Sequence, residues 1–482
     1  MKDVRIRFAP SPTGTPHIGN SRIALFGWLF ARKNKGKFIL RIEDTDQSRL
    51  DPDSLQKIYD ILKFLGLNWD EGPGEGGDYG PYIQSERLDL YKEYAHKLVQ
   101  KGYAYYCFCT KERLEELRID QQKNKQSPKY DRKCYGLSQK EIDQNLKRGV
   151  PYVIRLKMPD NEVLKWNDLV QGNIEINSSV CDDQILIKSD GYPTYHLAVV
   201  VDDHLMKISH IFRGVEWISS TPKHIVLYRS FGWKMPEIAH FPLILGKDRS
   251  KLSKRHGAKS VLEYKDEGYL SEALINFLVL LGWHPKDDKE ILSREELIKK
   301  IDLKGVQKQN AIFNLEKLDF LNAYYLKQKS SSDFALLLEE YLPELSFDQR
   351  MIAAQLLKDR ITKLNQARDL IKFTFEDIDY SVDLLLGKAE KNQAKQMLES
   401  AKKIISKIPS QDITLDQIDK LQKIMLEEIK KNNWKTGDFF MVFRSAIAGA
   451  KITPPILESL MILGKEKSLE RLDVALGKLN KS

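Results

Sequence analysis

The chain predicts an α/β fold: a doubly wound parallel sheet interrupted by an insertion, then an all-helical C-terminal region. Three observations predict it. Strand, loop, helix and strand follow one another over residues 4–42, which is a βαβ unit with a right-handed crossover. An irregular block, 103–190, then separates this unit from further continuous apolar runs. From about residue 320 strand signals nearly vanish, and Lys- and Glu-rich segments of helical period take over.

Val4, Ile6 and Phe8 alternate with Arg5 and Arg7, the pattern of a short strand. The Pro/Ser/Gly stretch 9–16 is a loop, after which Ile23, Phe26, Gly27, Phe30 and Ala31 recur at helical spacing. FILRI (38–42) is a buried strand that ends in the acidic group Glu43-Asp44-Thr45-Asp46. The glycine-rich loop 70–82 leads into a helix over Ser85 to Gln100. LAVVV (197–201), a β-branched run, is expected as a central parallel strand buried on both faces, with ISHIF (208–212) as the next strand. SFDQRMIAAQLLKDRITKLNQARDLI and the segment starting at Pro455 read as helices; Ile456, Leu457, Leu460 and Met461 share one apolar face.

At 482 residues the chain exceeds one core, and roughly three domains are expected. Hydrophobic residues are 42% and charged residues 30%, a globular balance rather than a disordered one. The net charge of +9 suits a polyanionic partner without demanding one. MKDVRIRFAP lacks a signal-like apolar stretch, and no run approaches the ~20 residues of a membrane span. Four cysteines, at 107, 109, 134 and 181, are too few for a disulfide scaffold, so a cytoplasmic, reducing compartment is expected.

Two constellations carry chemistry. In a doubly wound sheet, ligands bind where strands end and helices begin. PSPTG and His17 fall at that place, where unpaired helix N–H groups favour a phosphate and Gly19 leaves room for a base or ribose. An isolated H-x-G also reads as a capping histidine after a turn. GKDRSKLSKRHG (246–257) is either a solvated basic loop or a cationic loop that closes over a triphosphate; beside the first site the second reading prevails.

Pro16-His17-Ile18-Gly19 and Lys251-Leu252-Ser253-Lys254-Arg255 resemble the two signatures of class I aminoacyl-tRNA synthetases. APSPTG, RIEDTD, GPYIQSER, DGYPTYHLA, VVDDH and LLGW are similar to strings of the bacterial-type glutamyl-tRNA synthetases, in the same order over essentially the whole chain. The resemblance implies a Rossmann-like catalytic domain that activates glutamate with ATP and Mg2+ and passes it to tRNA(Glu), generally with the tRNA bound first. It implies that Arg7, Ala9, Ser11, Glu43, Tyr195 and Arg213 line the glutamate pocket, arginine forks suiting carboxylates and Glu43 the ammonium. His17 and Gly19 would meet ATP, and Lys251 and Lys254 would steady its phosphates, so His17, Lys251 and Lys254 are the catalytic candidates. Two positions depart from the pattern: Asn20, where histidine is common in the class, and Val199, where relatives carry asparagine.

The resemblance divides the chain into catalytic halves at 1–102 and 191–245, an inserted acceptor-stem-binding domain at 103–190, a stem-contact region at 246–320 with the KLSKR loop, and a helical anticodon-binding domain at 321–482. Cys107, Cys109 and Cys134 are either buried thiols or ligands of a structural Zn2+. Some relatives complete such a site with histidine or tyrosine, and with no histidine near Cys134, Tyr130 is the best fourth candidate, with Tyr135 behind it. Arg360 lies where relatives place an anticodon-checking arginine, or else on a solvated helix face. A monomer is expected, with no membrane partner. The rivals are a glutaminyl-tRNA synthetase, which usually ends in β-barrels; the shortened glutamyl-transferring paralogue without an anticodon domain; and an RNA-binding protein built on a retired synthetase.

Overall fold

The computed structural model describes residues 3–250, 252, 259–409 and 412–481, so Lys251 and Lys254 lie outside the described residues. The chain forms two compact units. One runs up to Tyr264 and includes Leu274–Leu315; the other comprises Lys265–Ala273 and the chain from Glu316 on.

In the first unit, β1 (Arg5–Phe8), α1 (Ile18–Lys33) and β2 (Lys37–Leu40) form the expected βαβ unit, with β1 and β2 parallel. Gly36 at the tight return into β2 has no room for a side chain, because a Cβ there would collide with the Val4 carbonyl. Further along come α2 (Pro52–Phe64), α3 (Leu88–Gln100), β3 (Ala104–Cys107), α4 (Lys111–Lys123), α5 (Gln139–Lys147), β4 (Val153–Leu156), β5 (Val163–Asp168), β6 (Gly172–Asn177) and β7 (Ile185–Ile187). They are followed by α6 (Tyr195–Leu205), β8 (His210–Gly214), α7 (Thr221–Phe231) and β9 (Glu237–Phe241).

Among the described residues, six strands make one sheet in the order β2-β1-β8-β9-β5-β6. Its neighbours are parallel from β2 through β5, and β5 and β6 close it as an antiparallel hairpin. That hairpin lies within the block read from the sequence as an insertion, yet it extends the main sheet. The rest of the block carries its own antiparallel sheet, β3-β4-β7.

One expected strand is a helix. LAVVV forms the centre of α6, and Leu197 through Asp203 are all buried. A helix enclosed on every side shows no amphipathic period, so its run of valines imitates a buried strand. Thr194, extended and preceded by Pro193, starts it. Tertiary burial outweighs the modest helix cost of valine.

Among the described residues beyond Glu316, the regular elements of the second unit are all helices, as expected. The long segment around Arg360 is broken, however, into Phe347–Leu357 and Gln366–Ile371. Ser346 and Thr414 start helices with capping boxes, and Pro455 caps Ile456–Leu463, whose Ile456, Leu457 and Leu460 are buried.

Candidate active site

The C-terminal ends of β1 and β8, the loop into α1 and the start of α6 enclose a cleft of about 770 Å³. Arg7, Ala9, Ser11, His17, Gly19, Glu43, Tyr195 and Arg213, named from the sequence, all line it, as does Asn20. Leu252 of the KLSKR segment lines it too. Val199 packs instead into the apolar cluster around α3 and α7.

His17 is the extended N-cap of α1, and its Nδ1 accepts from Gly19 N–H at 3.1 Å. An accepting Nδ1 places the ring proton of the neutral tautomer on Nε2. The capping role and a place in the cleft are therefore properties of one residue.

Two arginines face the cleft from different electrostatic settings. Arg7, on β1, donates to both oxygens of Asp203 at 3.0 and 3.3 Å. Asp203 also accepts from Arg41 at 2.6 Å, and Arg41 donates to Glu43 at 2.9 Å. Beneath them Asp202 accepts from Arg87, Gln84 and Tyr91, each at 2.8 Å. Burial raises the Glu43 pKa despite the pull of Arg41 and Arg7. Asp203 is also buried, but Arg7 and Arg41 hold its pKa below the ordinary value.

Arg213, on β8, meets no carboxylate at ion-pair distance among the described residues. Its Nε donates to His240 Nε2 at 2.9 Å, Nη1 to His224 Nδ1 at 3.2 Å, and Nη2 to Thr221 Oγ1 at 2.8 Å. His240 Nδ1 in turn donates to Asp168 Oδ2 at 2.5 Å, and His224 Nε2 bonds His196 Nδ1 at 3.1 Å. Burial lowers the pKa of all three histidines, that of His196 to about 3. Tyr195 and Trp217 pack beside this arm, ring centroids 4.6 Å apart.

Sequence reasoning missed Arg41, Asp202, Asp203, Asp168, His224 and His240. The first three stood inside RIEDTD and VVDDH, strings singled out without assigning each letter. Asp168 and His240 carried no motif.

The cysteines form a second, separate cluster. Cys107, Cys109 and Cys134 bring their sulfurs within 4.8 Å of one another, and the Cys109 and Cys134 sulfurs are 3.5 Å apart. Tyr130 Oη lies 3.3 Å from both Cys107 and Cys109. A tetrahedral zinc with Zn–S bonds near 2.3 Å needs sulfurs about 3.8 Å apart, so this donor set fits one. Arg155 sits 4.0 Å over the Tyr130 ring and Arg113 donates toward Cys109 at 3.6 Å, cations that would offset thiolate charge. Tyr135 is exposed, against Tyr105, and outside the cluster. Arg360 lies in the second unit, exposed just past the helix Phe347–Leu357, where it donates to the Leu356 carbonyl at 2.9 Å.

This fold and cleft define a class. Residues 3–320 match the family of class I tRNA synthetases (E and Q), catalytic domain, and the chain belongs to it; residues 333–476 match an anticodon binding domain. Among its relatives are glutamate–tRNA ligases of Dehalococcoides mccartyi, 44% identical over 99% of this chain and 98% of theirs, and of Treponema denticola, 40% identical over 98% and 99%. It is also similar to the crystal structure of a glutamate tRNA ligase from Elizabethkingia meningosepticum in complex with its amino acid. That match has TM-score 0.89 at 34% identity, covering 99% of this chain and all of the other.

Proposed function

We propose that the chain attaches glutamate to tRNA(Glu) in two steps: ATP activates glutamate to glutamyl-adenylate with loss of pyrophosphate, and a terminal ribose hydroxyl then takes the acyl group with release of AMP. The observation that carries this reading is the pairing of Arg7 and Arg213 with buried Glu43 in one cleft. Two arginines complement two carboxylates, and Glu43 complements the ammonium. Ala9, Ser11 and Tyr195 complete the amino-acid pocket.

ATP, with Mg2+ on its phosphates, takes the loop side of the cleft. The α1 N-terminus, His17 and Gly19 meet the nucleotide, and Lys251 and Lys254 balance charge as pyrophosphate leaves. No side chain acts as nucleophile; the substrate carboxylate attacks first and the ribose hydroxyl second. The chain's contribution is to position these groups and stabilise charge.

The part of the block 103–190 outside the β5–β6 hairpin is the acceptor-stem domain, stapled by a zinc on Cys107, Cys109, Cys134 and Tyr130, while the hairpin belongs to the catalytic sheet. The 246–320 region contacts the stem, and the helical region from 321 reads the anticodon, Arg360 among its contacts. The chain works as a cytoplasmic monomer; no helix among the described residues is long and apolar enough to cross a membrane.

Aminoacylation of purified tRNA(Glu) and tRNA(Gln) with glutamate and with glutamine tests this. Charging of tRNA(Glu) with glutamate is expected. Product with glutamine alone favours the rival synthetase, and no product with either amino acid overturns the reading.

A further inference from the structure

The mechanism above uses Arg213 but not the groups behind it. Three of its five N–H donors are committed, one from each nitrogen, to His240, His224 and Thr221. A fourth bonds the Tyr195 hydroxyl, which leaves the guanidinium one donor for a ligand. All four partners are acceptors without charge, since a histidine can accept from arginine only on an unprotonated nitrogen. The opposite arginine, Arg7, already shares the charge of Asp203.

The protonation of this arm is directional. Asp168 takes the His240 Nδ1 proton, which leaves the Nε2 lone pair facing Arg213. Asp168 is itself fixed by the N–H groups of Val170, Gln171 and His240 on Oδ1. His224 accepts on Nδ1, so its proton sits on Nε2 and points at His196. Asp168 and His240 are buried, His240 completely. A carboxylate placed directly on Arg213 would neutralise it; one set a ring away orients it and leaves its charge to the ligand.

We propose that Asp168, His240 and His224 are positioning residues that hold Arg213 as an uncompensated cation, and that this arrangement sets the preference for a side-chain carboxylate over the isosteric carboxamide. The inference deepens the reading of the chain as a glutamate-activating enzyme and rests on it. A carboxylate accepts the remaining Arg213 donor with charge assistance and pairs with the full guanidinium charge. A carboxamide offers one oxygen and no charge, and its NH2 meets donors.

Asp168→Asn tests the relay at its far end. The asparagine oxygen can still accept the backbone N–H groups, but its NH2 faces His240 Nδ1. The histidine proton must then move to Nε2, where it opposes Arg213 Nε–H. The same tautomer logic applies to catalytic triads. The expected result is a KM for glutamate raised roughly ten- to a hundredfold, with kcat changed far less, in a chain that still unfolds cooperatively at a somewhat lower thermal midpoint. The preference for a non-hydrolysable glutamyl-adenylate analogue over the glutaminyl analogue, read by calorimetry, falls about tenfold or more. His240→Gln, whose amide oxygen can accept from Arg213, keeps most of that preference, whereas His240→Leu loses it.

A folded Asp168→Asn chain with wild-type KM and wild-type preference overturns the inference. If that variant does not fold, the His240→Gln and His240→Leu pair decides, and equal preference in the two overturns it. A wild-type chain that binds neither analogue, or prefers the glutaminyl one, instead overturns the proposed function.

Discussion

The first unit buries Arg7, Arg41, Arg87, Asp202 and Asp203 in one ion-paired network, with Arg41 and Asp202 fully enclosed. The second unit builds a core from Met397, Leu398, Met425, Phe439, Phe443 and Leu460. Where the second unit buries a cation, it relies mainly on backbone: Arg471 donates to the carbonyls of Ile447 and Glu376, and Arg350 to that of Leu345 and to the exposed Glu339 carboxylate at 3.2 Å. Buried ion pairs add little net stability, because desolvation offsets the attraction. Their recurrence around the cleft therefore points to position rather than stability, while the helical unit is held by apolar burial.

Removing Asp203 should break this contrast most severely. Asp203→Ala leaves Arg7 and Arg41 without their shared carboxylate and is expected to cost about 3–5 kcal/mol, with binding of a glutamyl-adenylate analogue abolished. Denaturant unfolding and calorimetry on the full chain check the two effects. A variant that stays stable and binds normally would show that the network is dispensable.

Phe443→Ala sharpens the other side. The ring is 1% exposed within the helical core, and its loss should cost about 3–5 kcal/mol through the cavity left behind. Analogue binding should stay at the wild-type level, since nothing in the cleft is touched. A parallel loss of binding would mean that the two units do not divide position and stability as described.

The same division explains what could be read from the chain. Apolar period revealed β1, α1 and the helical region, and the continuous run FILRI, buried residue after residue, revealed β2. It failed at LAVVV, where every side of α6 is buried and period disappears. The cleft was legible where chemistry stands in local strings, as with His17 beside Gly19 or Arg7 beside Ala9. Pairings such as Arg41 with Asp203 span 162 residues, and His240 with Asp168 spans 72. Only the sheet order that places β9 between β8 and β5 brings Asp168 behind Arg213. No local pattern announces that.

The smallest expected effect is a pH dependence confined to the first unit. His196 is packed against His224 and Tyr195, with Lys223 and Arg213 nearby, and burial first, then those cations, lower its pKa to about 3. An unfolded histidine titrates near 6.5, so its folded pKa lies below its unfolded one. The stability this neutral histidine contributes is complete above pH 6.5 and is lost as pH falls toward about 3. Between pH 6.5 and 5.5 the loss from His196 alone is about 1 kcal/mol. His224 and His240 act with the same sign, and Glu43, whose pKa is raised, acts with the opposite one. Asp168 and Asp203, both depressed below 3.8, lose their contribution only in stronger acid. Thermal midpoints of the wild type and His196→Gln over pH 7.5 to 5 isolate the His196 share: the wild-type curve should fall more steeply. Phe443→Ala should lower the helical transition without altering that slope. Identical slopes in wild type and His196→Gln would mean that the histidine does not stay neutral behind Arg213.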